Sequence, residues 1–281
     1  MSKRGYLLLA FGVIVILIFV TLAPFIIILL TSLKLPQEIT INPFGLPKKP
    51  TLFNYSLVLG STYRTVGLAF DVQPLSSALV NTLVISLCVI LITLPLGLMA
   101  AYGLSRYRVG GNFLPFWFLS LLFAPPIVFA FPLYLMYQRA GLLDTKVGLV
   151  LANLIFSLPF AIWIFYSHLR EAPRDVEEAA LIDGANSWTV LWRVVLPIMR
   201  SVIVAVVALV FVFTWNEFLF SAVLASFNKT VTVALSGYNT GQLILHTVIS
   251  AGIAVGAIPP ILILLFFEKY LVSGLSFGAI R

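Results

Sequence analysis

Six apolar blocks, each about as long as a bilayer is thick, leave this chain few alternatives to a helical bundle in a membrane. They run over about 6–32, 75–101, 113–137, 147–167, 201–225 and 248–272. A helix needs roughly 20 apolar residues to cross the hydrocarbon core, and it satisfies its own backbone there. Charge is scarce: 10% of the 281 residues are charged, and mean hydropathy is +1.09. An ordinary soluble domain carries about 25% charged residues. The first block follows Lys3-Arg4 and extends from about Tyr6 to Leu30. A signal-peptide core is only about 7–15 residues long, so this block reads as an uncleaved span. The expected fold class is an all-α integral membrane protein, one transmembrane domain over 1–281, with six transmembrane helices.

Six spans put both termini on one side, and the basic residues choose which. With the N-terminus inside, ten of the 17 basic residues fall on inner segments and seven on outer ones. Lys3-Arg4 beside the first span adds weight, which places both termini in the cytoplasm and the chain in the cell membrane as a multi-pass protein. The net charge of +7 is therefore inner-face enrichment and carries no nucleic-acid reading. Cys88 is the single cysteine, which excludes an internal disulfide and a cysteine metal cluster.

Nucleotide hydrolysis needs a Gly-Lys-Ser/Thr phosphate loop. Lys229 is the one lysine followed by Ser or Thr, and Asn228 precedes it. There is no His-Glu-x-x-His motif, and no nucleophile–base set suggests an enzyme. The chain therefore reads as carrying no nucleotide or catalytic site and no cofactor of its own. Ion-coupled carriers place acids within their spans. Here Glu217 is the only one clearly inside a block. An ion-coupled secondary transporter is the reading from a different class.

Two connections are long. The outer one, about 34–74, carries Pro36, Pro43, Pro47 and Pro50, so it begins irregular, with a short helix near Phe53 to Leu59. The inner one, about 168–200, holds five of the ten acids: Glu171, Asp175, Glu177, Glu178 and Asp183. Within it, Pro173 suits a helix start. Asp175, Glu177 and Glu178 complement the positive end of a helix dipole. Val176, Ala179 and Ala180 form a small-residue stripe at i, i+3 and i+4. Gly184 suits a helix end with positive φ. Ser187 suits the cap of a second helix. The product is a helix, a turn and a helix with a small, acid-flanked face.

The inner segment reads Glu178-Ala179-Ala180, three residues, Gly184, nine residues, then Val194-Val195-Leu196-Pro197. It resembles the coupling loop of ABC importer permeases, Glu-Ala-Ala, three residues, Gly, nine residues, Ile-x-Leu-Pro, with Val194 in place of Ile. The likeness extends to the smaller permease of binding-protein-dependent carbohydrate importers of the maltose type. Asn54-Tyr55, Asn81-Thr82, the run from Ala100 to Tyr107, Pro132-Leu133-Tyr134, the run from Trp215 to Leu219 and the tail from Gly274 to Ala279 carry it. The stretch between Asn239 and Ser250 departs from the pattern of the sugar group.

The resemblance implies ATP-driven import of a sugar, a di- or oligosaccharide, delivered by an external binding protein. It implies a second six-span permease and two ATPase subunits, which would bind ATP and magnesium. Glu178, Ala179, Ala180, Asp183 and Gly184 would form the ATPase-coupling surface. Trp215, Asn216, Glu217 and Tyr134 are candidates for the sugar path. The outer loop from about Ser226 to His246 would meet the binding protein. Glycerol phosphate or another polar solute is the alternative cargo for the same machinery. Gly252-x-x-x-Gly256 and Gly97 suit close helix approach. The prolines within the blocks suit kinks.

Overall fold

The computed structural model describes residues 3–60, 74–240, 243–244 and 246–276. The end of the first long loop, with Arg64, and the tail Gly278-Ala279-Ile280-Arg281 lie outside these. So do residues 241, 242 and 245 of the expected binding-protein contact. The described chain is helical apart from one minimal hairpin. In order come α1 (Lys3–Ser32), α2 (Pro36–Ile41), α3 (Phe53–Leu59), α4 (Leu75–Arg106), α5 (Phe113–Leu121), α6 (Ile127–Ala140) and α7 (Lys146–Glu171). Then follow α8 (Asp175–Ile182), α9 (Ser187–Val190), a π-helical turn (Leu191–Val195), α10 (Leu196–Ile198) and α11 (Arg200–Trp215). The chain continues through α12 (Leu219–Leu224), α13 (Val231–Ser236), the antiparallel pair β1 (Asn239–Thr240) and β2 (Leu243–Ile244), and α14 (His246–Ser276).

By length and composition, four of these helices can cross a membrane: Ala10–Ser32, Leu75–Arg106, Lys146–Glu171 and His246–Tyr270. Ser187–Ile198 and Arg200–Trp215 form a bent pair at 78° that makes a fifth candidate. The third expected span is not one helix. Between α5 and α6, residues 122–126 include Pro125-Pro126 and break the helix. Tandem prolines remove two backbone donors and disfavour helix at the preceding residue. Single prolines 24, 95, 132 and 159, and the pair Pro259-Pro260, sit inside continuous helices instead. The fifth expected span is shorter than 201–225, because α11 ends at Trp215.

The chain divides into two compact units. One comprises residues 1–77 and 234–258. From Ala10 to Leu29 no residue of α1 is buried, so this helix presents apolar side chains on all sides. Its end is knitted to the loop that follows. Ser32 Oγ pairs with Tyr55 Oη at 2.7 Å, and Asn54 Nδ2 donates to the carbonyls of Ser32 (2.8 Å) and Lys34 (2.7 Å). Buried Lys34 donates to the carbonyls of Asn42 (2.8 Å) and Pro43 (3.0 Å). The short helix expected at Phe53 to Leu59 is α3. The irregular start of the loop is instead helix α2, because Pro36 occupies its first turn, where no N–H is needed. A Cβ on Gly252 would collide with the Leu235 side chain, so that glycine permits close packing.

The other unit comprises residues 78–233 and 259–281. Here α7 is the central element, packed against α5, α11 and α12. A Cβ on Gly97 would stand 3.1 Å from Ala161 Cβ, so α4 and α7 approach closely at that level. Thr145 Oγ1 caps α7 by accepting from Gly148 N at 3.0 Å. Gly141, at φ 67°, ends α6.

Candidate functional site

The segment at about 168–200 forms a helix, a turn and a bent helix. After α8, Gly184 takes φ 91°. Its N–H donates to the Leu181 carbonyl at 3.1 Å, and Ala185 N–H donates to the Ala180 carbonyl at 3.0 Å. Together these satisfy two end carbonyls of α8 in the paired pattern that a left-handed glycine permits. The next helix is capped by Asn186, whose Oδ1 accepts from Thr189 N at 2.8 Å, and not by Ser187 as expected. The Ser187 hydroxyl is committed elsewhere: it accepts from Tyr107 Oη at 2.6 Å. Pro173 does not open α8, which begins two residues later at Asp175 with Arg174 before it. Pro197, in the last part of the signature, cannot donate back to Arg193. The π-helical turn at Leu191–Val195 and the 78° bend before α11 surround that missing bond.

One side of α8 is held and the other is open. Glu177 and Arg106, at the end of α4, form an ion pair with side chains 6% and 7% exposed. Arg106 Nε contacts both carboxylate oxygens at 3.0 Å, and Nη1 donates to the Leu169 carbonyl at 2.6 Å. Arg174 Nη2 donates to the Ser105 carbonyl at 3.3 Å. The open side carries the residues singled out from the sequence: Glu178, Ala179, Asp183 and Gly184 are exposed and Ala180 is half-buried. Val176 and Ile182 add exposed apolar surface, Ile182 at 86%. Such a surface, small and apolar with an acid rim, suits docking against a shaped cleft. Sequence reasoning placed Glu177 among the acids of this loop but missed its partner. The signal was an arginine one turn past an apolar block, which is ordinary in an inner loop.

A second feature is a cavity of about 540 Å³. It is lined by Leu122, Pro126, Asn153, Phe156, Ser157, Phe160, Phe213, Thr214, Glu217, Phe218, Leu219 and Phe220. Of the four residues proposed for a solute path, only Glu217 is in this lining. Its oxygens accept from Phe220 N (2.6 Å) and Ser221 N (3.1 Å), and so cap α12. Trp215 is 3% exposed and stacks on Phe211 at 5.2 Å. Asn216 is exposed and donates back to the Val212 carbonyl at 2.8 Å. Tyr134 is half-buried on α6. The break at 216–218 is stitched from beyond. Thr232 Oγ1 donates to the Glu217 carbonyl at 2.6 Å, and Thr230 N–H donates to Ser221 Oγ at 3.0 Å. Thr82 Oγ1 accepts from Val231 N at 2.9 Å.

A third is the corner at Asp144, at φ 54°. Its Oδ1 accepts from the N–H groups of Ser226 (3.0 Å), Phe227 (2.9 Å) and Asn228 (2.9 Å). Partial burial pushes this carboxyl up. The opposing hydrogen bonds from Asn228, Phe227 and Ser226 outweigh it and hold the group below its usual value.

Comparison with known proteins decides the family. A family described as "Binding-protein-dependent transport system inner membrane component" matches residues 93–277, well over half of the chain. The chain belongs to this family. Its members are ABC transporter permeases, and this permease lies among them over nearly its whole length. It is 29% identical to a diacetylchitobiose uptake system permease of Streptomyces coelicolor, covering 100% of this chain and 91% of that one. It is 32% identical to a sulfoquinovosyl glycerol transport system permease of Agrobacterium fabrum (92% and 89% covered). It is 33% identical to a trehalose transport system permease of Mycobacterium tuberculosis (80% and 83% covered). A solved bacterial ABC transporter involved in import of the acidic polysaccharide alginate shares the fold. That match has TM-score 0.76 at 23% identity, with 96% of this chain and 98% of that chain covered.

Proposed function

We propose that this permease moves a sugar, a di- or oligosaccharide, from an external binding protein to the cytoplasm. A separate ATPase pair would drive it, and a second permease would complete the pathway. The observation that carries this reading is the inner segment. Its α8 and Gly184 turn are fixed on one side and present Glu178, Ala179, Ala180, Asp183 and Gly184 on the other. We assign these five residues to the ATPase. The ATPase, not this chain, would bind ATP and magnesium. Closure of the ATPase pair would draw the segments together, and the long helices would switch the cavity between its two faces. That needs only two packings close in energy, with the differential contacts supplied by the motor. On this reading α5 and α6 together make one crossing and the bent helix another. The total is then six, with both termini cytoplasmic.

The sugar assignment draws on the cavity and on the relatives. The relatives carry diacetylchitobiose, trehalose and a sulfoquinovosyl glycerol, all of them glycosides. The lining offers phenylalanine faces beside Asn153, Ser157, Thr214 and Glu217, which suit a polyol with both apolar and hydroxyl surfaces. It includes a carboxylate and no lysine or arginine, which favours a neutral sugar over a phosphodiester. Glu217 would meet the solute directly, with Asn216 at its border; Trp215 and Tyr134 would support the wall.

The test is uptake into proteoliposomes by the complex of this chain with its partner permease, ATPase and loaded binding protein. Sugar uptake that requires both ATP and the binding protein is expected. Uptake without ATP that collapses with an uncoupler would overturn the reading. A binding protein that ignores every sugar would remove the cargo assignment alone.

A further inference from the structure

The acid beside the exposed Glu178 has a separate job. Successive residues of a helix point about 100° apart, so Glu177 faces inward while Glu178 stays outside. The inward carboxylate meets Arg106 in a fork, with Nη2 on Oε1 at 2.5 Å and Nε on both oxygens at 3.0 Å. The hydroxyl of buried Tyr102 interacts with the same carboxylate. Arg106 uses its remaining nitrogen, Nη1, on the Leu169 carbonyl, in the last turn of α7, where end carbonyls lack helical partners. One guanidinium therefore joins three elements: α4, which carries it, α7 and α8. Tyr107–Ser187 and Arg174–Ser105 bonds flank it.

Resting on the coupling reading above, we infer that Arg106 and Glu177 are positioning residues that latch the coupling segment to the inner ends of α4 and α7. A displacement of α8 then moves both long helices instead of sliding past them. A buried ion pair is weak evidence for stability, because an apolar pair of similar volume often replaces it without loss. What the fork adds is a fixed register. Two apolar side chains in its place would fill the space and leave α8 able to shift against α4.

The experiment uses the assembled complex in proteoliposomes, with loaded binding protein outside. It compares the wild type with Glu177→Gln, Arg106→Lys and the double variant Arg106→Met/Glu177→Leu. Three quantities are read: ATPase retained on purification, thermal midpoint and sugar imported per ATP hydrolysed. All variants should retain the ATPase, since neither residue lies on the open face. Sugar per ATP should fall about fivefold or more, the lower end of typical coupling factors. The double variant should fold, with a midpoint lowered only by the loss of partners for the Leu169 carbonyl and the Tyr102 hydroxyl, and still couple poorly. An unchanged ratio in Glu177→Gln overturns the latch. So does a double variant that regains wild-type coupling, which would reduce the pair to packing. Should the single variants fail to fold, the double variant decides alone. A wild-type assembly that holds no ATPase overturns the coupling reading and the latch with it. Wild-type retention with indifferent latch variants removes only the latch.

Discussion

Gly184 offers a test in which backbone strain and surface crowding predict opposite orders. Its φ is 91°, and a Cβ built there meets nothing within 4 Å. Within this chain the cost of a side chain is therefore conformational. A residue with a Cβ in left-handed backbone costs roughly 1–2 kcal/mol, and Asn, which visits that region more readily, costs less. At RT of about 0.59 kcal/mol, this corresponds to a roughly 5–30-fold loss of the formed turn wherever the turn is marginal. An ATPase that selects the formed turn would lose affinity by up to that factor. Binding of purified ATPase to Gly184→Asn and Gly184→Ala permease in nanodiscs measures it. Strain ranks the affinities Gly, Asn, Ala. Crowding at a docked surface ranks them by size as Gly, Ala, Asn. An Ala variant that binds like wild type while Asn binds poorly would refute the strain argument. Gly184→Asp adds charge and bulk together, so it should weaken docking most while leaving the chain membrane-inserted.

Gly97→Leu should disrupt the α4–α7 approach, since even a Cβ stands at 3.1 Å from Ala161. The expected cost is about 1–3 kcal/mol of overpacking, read as a lower thermal midpoint in detergent; an unchanged midpoint would mean the helices separate freely. Asp144 is depressed by its N–H partners, so its contribution is fully present above the ordinary carboxylate value, about 4. It is lost as pH falls below that and through the lowered folded value. Amide exchange at 226–228 should therefore quicken in Asp144→Ala at pH 7 relative to wild type. Equal protection in the two would show that the clamp does not order the loop.

The segment at 168–200 shows where one-dimensional reading succeeds. Gly184 was legible because a positive φ after a helix has a local cause, and Phe53–Leu59 was legible because a short helix is a local event too. The cap was misassigned for the opposite reason. Ser187 and Asn186 are both good caps, and the choice fell to Asn186 because Tyr107, eighty residues earlier in the chain, engages the Ser187 hydroxyl. The broken third span was half legible. Pro125-Pro126 stood in plain sight, but single prolines elsewhere, and the pair Pro259-Pro260, ride inside continuous helices.

Apolar length and scarce charge settle the membrane and the helices by themselves, because a bilayer tolerates few ways of satisfying a backbone. A motif held within twenty residues carries a family resemblance by its own spacing, which the match over residues 93–277 then bears out at the level of the family. Which of the neighbouring acids Glu177 and Glu178 turns inward, and which face that leaves open, depends on Arg106 at the end of a different helix. Where the cavity lies depends on phenylalanines gathered from α7, α11 and α12. Those relations join residues far apart in the chain, and only packing brings them within the few ångströms at which hydrogen bonds and dispersion act.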